Sequence, residues 1–123
     1  MLNLDHYLRG LHTIMISYED FKKVEIKIGK IISAEKILDT DKLLLLKVDF
    51  AEESPRQIIS GIAIHFSDPL SLVGIKCAFA TNLEPRTIRG YESQGMILAV
   101  GGGDSPFSIL KTNDDVKEGS SVK

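Results

Sequence analysis

The residues between positions 82 and 96 combine side chains that suit binding to a polyanion. They form two blocks, Asn82-Leu83-Glu84-Pro85-Arg86-Thr87-Ile88-Arg89-Gly90 and Ser93-Gln94-Gly95-Met96. These blocks bring together two guanidinium groups, an amide, small hydroxyls and a thioether, with a proline and two glycines to shape the backbone. Arginine binds phosphate through a planar fork of donors and also stacks on nucleobases. The segment therefore predicts a polyanion site, with an ordinary solvated loop as the alternative.

Length and composition are those of one globular domain. The 123 residues suffice for one hydrophobic core, and the apolar fraction of 43% and the charged fraction of 26% are ordinary. No apolar run approaches the roughly 20 residues that cross a bilayer, and the N-terminus lacks the pattern of a secretory signal. The single cysteine, Cys77, cannot form an internal disulfide and favours a reducing compartment. We therefore expect a cytoplasmic protein without a membrane segment.

Positive charge is concentrated in one part of the chain, although the formal net charge is −2. Residues 21–48 contain seven lysines against four acidic residues. The negative total argues against a protein that binds nucleic acid through bulk positive charge. The lysine-rich part is consistent with a modest, local phosphate-binding face, and a solvated surface is the alternative.

Short strands separated by turn signals dominate the chain from residue 21 onward. Period-two or continuous apolar patterns predict strands over residues 24–32, 43–50, 57–64, 75–81 and 94–100. Gly29 interrupts the first pattern, which predicts a bulge or a sharp bend there, and residues 116–122 add a candidate edge strand. Asp68-Pro69 offers an N-cap followed by proline at the first helical position, so a short helix should cover about residues 68–73.

Five strands with one short helix between the third and the fourth is the order of an OB-fold, an all-β, five-stranded Greek-key barrel. Residues 21–123 would form this domain, with a small C-terminal extension, and residues 1–20 would form an N-terminal extension. Leu4, Leu8 and Leu11 have helical spacing, which favours a packing helix over a frayed tail, and Tyr18-Glu19-Asp20 indicates another helical turn. An SH3-like barrel or another sandwich also fits the strand count.

The sequence contains no recognisable catalytic or metal-binding pattern. The three histidines, His6, His12 and His65, are scattered, and no cysteine–histidine spacing matches a zinc site. No nucleophile elbow, Walker loop or HExxH motif is present. The triple glycine at 101–103 lacks the lysine and the helix start of a phosphate-binding loop. We therefore predict a binding module rather than an enzyme, with no cofactor and no metal.

Six blocks of sequence carry a resemblance to a known family. In chain order they are residues 21–31, 41–44 with 48–49, 56–62, 82–86, 93–99 and 118–120. Together they resemble the tRNA-binding OB-fold domain found at the C-terminus of methionyl-tRNA synthetases, in free-standing tRNA-binding proteins and in endothelial monocyte-activating polypeptide. The blocks cover about residues 21–122 in the right order, which is far more specific than any one of them.

The resemblance implies recognition of tRNA by its shape and backbone, with little sequence preference. Carried over position by position, Asn82 and Arg86 would line the binding loop, and Ser93 and Met96 would lie on the adjacent strand. From the residues alone, Asn82 could instead cap the turn before Pro85, Ser93 could be a plain turn hydroxyl, and Met96 is as easily core as ligand-facing.

Three further cations belong to the predicted tRNA site with less support from the motifs: Lys30, Lys42 and Arg89. The two lysines would extend the path of phosphate contacts. Arg89 would contact a phosphate or a base, with an ordinary solvated loop residue as the alternative. Tyr91 and Phe66 are candidates for stacking on bases. A chain with 7% aromatic residues is not rich in stacking platforms, which fits shape and backbone recognition better than the reading of single-stranded bases.

The resemblance also implies partners. Since no synthetase catalytic core is present, the chain would act alone or as a trans-acting subunit of an aminoacyl-tRNA synthetase, methionyl being the first choice. Free-standing members form homodimers, so a homodimer is expected. Met15 would be the natural start, leaving residues 1–14 as an extension. The alternatives are a protein-binding module like the secretion chaperone of the same fold, and a subunit that works mainly by docking to a synthetase.

Overall fold

The computed structural model describes residues 14–123 and builds them mainly from short strands. In chain order the elements are α1 (Tyr18–Phe21), β1 (Ile26–Lys36), β2 (Leu44–Asp49), β3 (Arg56–Ser60), the 3₁₀ helices Ala63–His65 and Pro69–Leu72, β4 (Lys76–Ala80), β5 (Arg86–Ile88), β6 (Tyr91–Ser93), β7 (Met96–Ile97), β8 (Ala99–Gly102) and β9 (Ser105–Ile109). Within this part of the chain, no helix is long and apolar enough to cross a membrane.

Five of the strands form the barrel in the order β3-β2-β1-β4-β7, with each neighbouring pair antiparallel. The chain just before β7 approaches β3, where the amide N–H of Gln94 donates to the carbonyl oxygen of Gln57 at 2.8 Å. This contact nearly closes the barrel between its two outer strands. The predicted OB-fold, with its helical segment between the third and fourth barrel strands, is confirmed.

The barrel is filled by the inward faces of its strands. Leu44, Leu46 and Val48 alternate along β2 and are fully buried, as the period-two pattern predicts. The Phe50 and Phe79 rings meet edge to face at 5.3 Å in the same core. At Gly29 a Cβ atom would lie 2.5 Å from Cγ1 of Val48, so only glycine lets β1 pack this closely against the core.

Two of the three short helical segments begin at a capping side chain. The Ser17 hydroxyl accepts a hydrogen bond from the amide of Asp20 at 3.0 Å and opens α1, which confirms the predicted turn at 18–20. The carboxylate of Asp68 accepts from the amide of Leu70 at 3.0 Å and opens a 3₁₀ helix inside the predicted range 68–73. The predicted helix containing Leu4, Leu8 and Leu11 lies outside the described residues.

The predicted position of the bulge in β1 and the predicted end of β3 are wrong. Strand β1 runs through Gly29 without a break, and its bulge lies between Ile31 and Ser33. Strand β3 ends at Ser60, not at Ile64, because the chain turns into a 3₁₀ helix whose Ala63 amide donates to the carbonyl oxygen of Lys42 at 2.9 Å. An apolar run alone did not reveal this turn.

The C-terminal third also departs from the prediction. Instead of the one strand predicted over residues 94–100, the chain forms two short strands, β7 and β8. Strand β8 continues through Gly102 and turns at Gly103 and Asp104 into β9, a hairpin that the sequence pattern did not predict. Residues 116–122 form no regular strand, although Gly119, Ser120 and Val122 exchange backbone hydrogen bonds with β1. Lys76 secures this tail, since its ammonium donates to the carbonyl oxygens of Asp114 at 2.9 Å and Val116 at 2.7 Å.

Candidate nucleic-acid interface

The polyanion-binding segment folds as a β-hairpin, β5–β6, laid on the outer face of the barrel. Its two-residue turn consists of Arg89 and Gly90, both with positive φ (54° and 86°), as a type I′ turn requires. Ile88 packs into a small outer cluster formed by Ile37, Leu45 and Ile59. Arginine is an unusual residue in this turn, which explains why sequence reasoning missed the hairpin.

Arg56 holds both ends of the segment that carries the hairpin. One guanidinium nitrogen, Nη1, donates to the carbonyl oxygen of Thr81 at 2.7 Å and to that of Gln94 at 3.1 Å. The other two nitrogens bind both carboxylate oxygens of Glu52, at 2.9 and 2.7 Å. The guanidinium carbon lies 5.3 Å from the centroid of the Phe50 ring. Arg56 lies in the matched block 56–62, but nothing in its local pattern predicted this role.

The bond with Glu52 alters the proton affinity of both groups. The side-chain hydrogen bond from Arg56 lowers the pKa of the Glu52 carboxyl from its ordinary value, and burial opposes it. The same bond raises the pKa of Arg56. The pair therefore stays ionised at neutral pH, and the ion pair keeps Nη1 of Arg56 directed at the carbonyl oxygens of Thr81 and Gln94.

Asn82 joins the hairpin segment to the residues that lead into β1. Its amide oxygen accepts from the backbone N–H of Glu25 at 2.8 Å, and its amide nitrogen donates to the carbonyl oxygen of Lys23 at 2.7 Å. The side chain thus does not cap the turn before Pro85. It is exposed but already bonded at both ends, so the geometry makes it a support for the loop; a direct contact with tRNA stays a prediction.

Ser93 lies beneath the site. Only 5% of this residue is exposed, and its hydroxyl accepts from the amide of Ile59 at 2.9 Å while donating to the carbonyl oxygen of Gly95 at 3.0 Å. The hydroxyl therefore uses its donor and an acceptor site for hydrogen bonds inside the protein. Ser93 fixes β6 against β3 and forms part of the floor of the cleft above it.

Arg86 and Met96 meet at a small cleft, here called the hairpin cleft, of about 70 Å³. Its lining also includes Ile59, Leu83, Glu84, Ile88, Ser93 and Gly95. Among residues 14–123, the exposed Arg86 guanidinium forms neither an ion pair nor a hydrogen bond. Met96 is 48% exposed while Ile97 beside it is buried, so Met96 faces the cleft. A free planar cation beside a polarizable thioether suits a phosphate with an adjoining base or sugar.

Lys42 and Arg89 line a second cleft, between the β1–β2 loop and the tip of the hairpin. The Arg89 Nη2 donates to the carbonyl oxygen of Asp39 at 2.8 Å. Asp39 and Arg89 both have positive φ, 63° and 54°, although neither is glycine. One hydrogen bond thus links two strained residues across the cleft.

Lys30 does not join the other candidates. It pairs with Lys76 at the start of β4, whereas the hairpin segment leaves β4 after Ala80, which is four residues and therefore about 13 Å further along the strand. Lys47 is better placed, although the sequence analysis did not select it. Its ammonium donates to the Gln57 side chain at 3.2 Å, and Gln57 in turn donates to the carbonyl oxygen of Glu92 in the hairpin, at 2.9 Å.

Several lysines of the basic region are balanced locally. Lys22, Lys23 and Lys27 lie within 4 Å of carboxylates of Glu19, Asp20 and Glu25. The described residues contain no group of three or more histidine, cysteine, aspartate or glutamate side chains that could hold a metal ion. Burial raises the pKa of the Cys77 thiol to about 12, so this residue is an inert part of the core at neutral pH.

The comparisons with known proteins agree with this geometry. The family model described as "Putative tRNA binding domain" matches residues 26–121. The chain belongs to this family of tRNA-binding domains. A methionine–tRNA ligase of Enterococcus faecalis is 39% identical over 107 residues, which are 87% of this chain and 16% of the ligase. The chain therefore spans about one sixth of the length of that relative.

Solved structures show the same fold at full length. A methionyl-tRNA-synthetase-related protein of Pyrococcus horikoshii superposes with a TM-score of 0.83 and 34% identity, over 90% of this chain and 100% of that one. The chaperone CsaA of Bacillus anthracis superposes with a TM-score of 0.77 over 89% of this chain and 100% of its own, but at 23% identity. The second likeness is evidence for the fold alone.

Proposed function

We propose that this chain is a non-catalytic module that binds folded tRNA through its shape and phosphate backbone. The observation that carries the proposal is the unpaired Arg86 guanidinium at the hairpin cleft, on a hairpin that Arg56 and Asn82 hold at its base. Because the hairpin backbone is already held, binding a phosphate would order the Arg86 side chain but would not require the loop to fold, which limits the entropy lost. Membership of a tRNA-binding family supports tRNA as this polyanion.

The contact surface is proposed to extend from the hairpin cleft to the second cleft. Arg86 and Met96 would touch the ligand directly, and Lys42, Arg89 and Lys47 would contact neighbouring phosphates. Asn82 and Ser93 would act from below, by holding the loop and β6 in place. Lys30 would contribute only to the long-range field, because it lies away from the clefts.

The physiological setting follows from the relatives and is also a proposal. Residues 21–123 would be the functional domain, with residues 1–20 as an extension. The module would work in the cytoplasm, as a homodimer that presents two hairpin clefts, and would deliver or retain tRNA for an aminoacyl-tRNA synthetase, methionyl being the first choice.

A titration with unfractionated tRNA tests the function. The protein should bind tRNA more tightly than a DNA duplex of similar length, with an affinity that falls as salt increases, and its mass in solution should be that of two chains. An unfolded polypeptide serves as the competing ligand. Binding of the polypeptide without binding of tRNA would show a chaperone-like module instead, and the mass measurement independently tests the homodimer.

A further inference from the structure

A cluster of three aromatic rings lies outside the hairpin, beside a third cleft. His65, at the end of the first 3₁₀ helix, stacks face to face on Phe107 of β9, with ring centroids 3.8 Å apart and planes inclined by 1°. Phe66 meets Phe107 edge to face at 5.9 Å. Both phenylalanines are partly buried against the barrel core, whereas His65 is exposed. The core therefore supports a flat ring on the surface.

The surroundings of this ring suit a small anionic heterocycle. A cavity of about 260 Å³ lies against the aromatic cluster, and Ile75, Ser108 and Lys111 also line it. This volume is below the roughly 300 Å³ at which pockets for drug-sized ligands begin, so it suits one ring system rather than a larger molecule. Lys111 is exposed and, among residues 14–123, forms no ion pair.

We propose that the cleft formed by His65, Phe107 and Lys111 binds one unpaired nucleobase with its phosphate. The base stacks on the supported aromatic pair, since histidine and phenylalanine rings are sequence-tolerant stacking surfaces. The Lys111 ammonium pairs with the phosphate. This second contact adds a single-stranded nucleotide of the ligand to the shape recognition at the hairpin, and that link to tRNA rests on the proposed function.

The fold places the two contacts within reach of one another. The Ala63 amide, at the start of the 3₁₀ helix that carries His65, donates to the carbonyl oxygen of Lys42 at 2.9 Å. Lys42 lines the cleft that it shares with Arg89 at the hairpin tip. The 3₁₀ helix that ends at His65 is therefore anchored to the backbone of a residue that lines the second cleft.

Adenosine monophosphate is the direct probe, with inorganic phosphate and a tyrosine-containing peptide as controls, followed by NMR of the aromatic side chains. We expect the His65 and Phe107 ring signals to shift with the nucleotide and not with phosphate. The nucleotide-dependent shift of the Phe107 signals should disappear in His65→Ala and persist in His65→Phe, which restores a stacking ring. Tyr18→Ala, at an exposed aromatic residue of α1, should change nothing. Unchanged His65 signals, or a response to the peptide alone, would overturn the proposal.

A tRNA titration distinguishes failure of the nucleobase site from failure of the proposed tRNA-binding function. His65→Ala and Lys111→Ala should each weaken tRNA binding by about fivefold or more, with Lys117→Ala as the exposed lysine control. Thermal melting verifies that each variant is folded. If the wild-type chain fails to bind tRNA, the proposed function fails, whatever the nucleotide does. If it binds tRNA and these variants bind equally well, only the nucleobase site fails.

Discussion

The base and the tip of the β5–β6 hairpin are held in different ways. At the base, Arg56, Asn82 and Ser93 make several hydrogen bonds that reach β3, the residue after β4 and the segment before β1. At the tip, the Arg89 side chain makes one hydrogen bond, to a loop carbonyl. The difference indicates a fixed base, which sets the positions of the basic side chains, and a tip that can adjust to the ligand. Substitutions at the base should therefore cost stability, and substitutions at the tip should mainly alter motion.

Replacement of Arg56 by methionine should have the largest effect. It leaves the Glu52 carboxylate unpaired and removes the donor shared by Thr81 and Gln94, so we expect the free energy of unfolding to fall by about 2–3 kcal/mol. Urea denaturation measures this loss. Lys22→Met, which breaks an exposed ion pair with Glu19, is the matched control and should cost no more than about 1 kcal/mol. Equal losses in the two variants would mean that Arg56 does not hold the hairpin.

Ser93→Ala should be next in size. The change leaves the buried Ile59 amide without its acceptor, and we expect a loss of about 1–2 kcal/mol. Ser105→Ala, at an exposed serine of β9, is the control and should leave the denaturation midpoint unchanged. A neutral Ser93→Ala variant would contradict the description of this hydroxyl as a support under the cleft.

The Arg56–Glu52 pair should also make stability depend on pH. Because the folded-state pKa of Glu52 lies below its ordinary value of 4.5, the unfolded chain takes up this proton first as the pH falls. The contribution of the pair is thus complete above pH 4.5 and is lost as the pH falls through the lower, folded-state pKa. Melting temperatures from pH 7 to pH 3 should therefore show Glu52→Gln well below the wild type at neutral pH and closer to it in acid. A gap that stays constant would refute this linkage.

Arg89→Asn should have the smallest effect on stability. Asparagine tolerates positive φ better than arginine, so relief of backbone strain offsets the lost bond to Asp39, and we expect a net change within about 1 kcal/mol. Amide hydrogen exchange should become faster in the loop around Thr40 and remain unchanged at Ile59. A loss as large as that of Arg56→Met would show that the tip is held as firmly as the base.

The barrel itself was predictable, because its strands follow simple patterns. The alternation of Leu44, Leu46 and Val48 predicts the inner face of β2, and Asp68-Pro69 predicts the start of a helical segment. These features depend only on neighbours in sequence. The hairpin was not predictable in the same way, since Arg89 occupies a left-handed turn position where glycine or asparagine is usual.

The grouping of the candidate site residues was easier to predict than the contacts that each side chain makes. Sequence blocks single out Asn82, Arg86, Ser93 and Met96, and the structure brings all four to the base or the cleft of one hairpin. Their roles differ because burial and bonding decide them: Ser93 is enclosed, while Arg86 is free. Arg56 was missed because its partners lie 25 and 38 residues away in the chain, a separation at which local patterns carry no information.

The salt dependence of tRNA binding by wild-type chain and by Arg86→Ala tests the central claim most directly. If Arg86 contacts a phosphate, its removal should weaken binding and lower the slope of log K against log salt by about one, with the stability of the protein unchanged. Arg86→Lys should recover most of the slope but not the full affinity, because it keeps the charge and loses the fork. A slope and affinity equal to those of the wild type would show that the hairpin cleft is not where this chain meets tRNA.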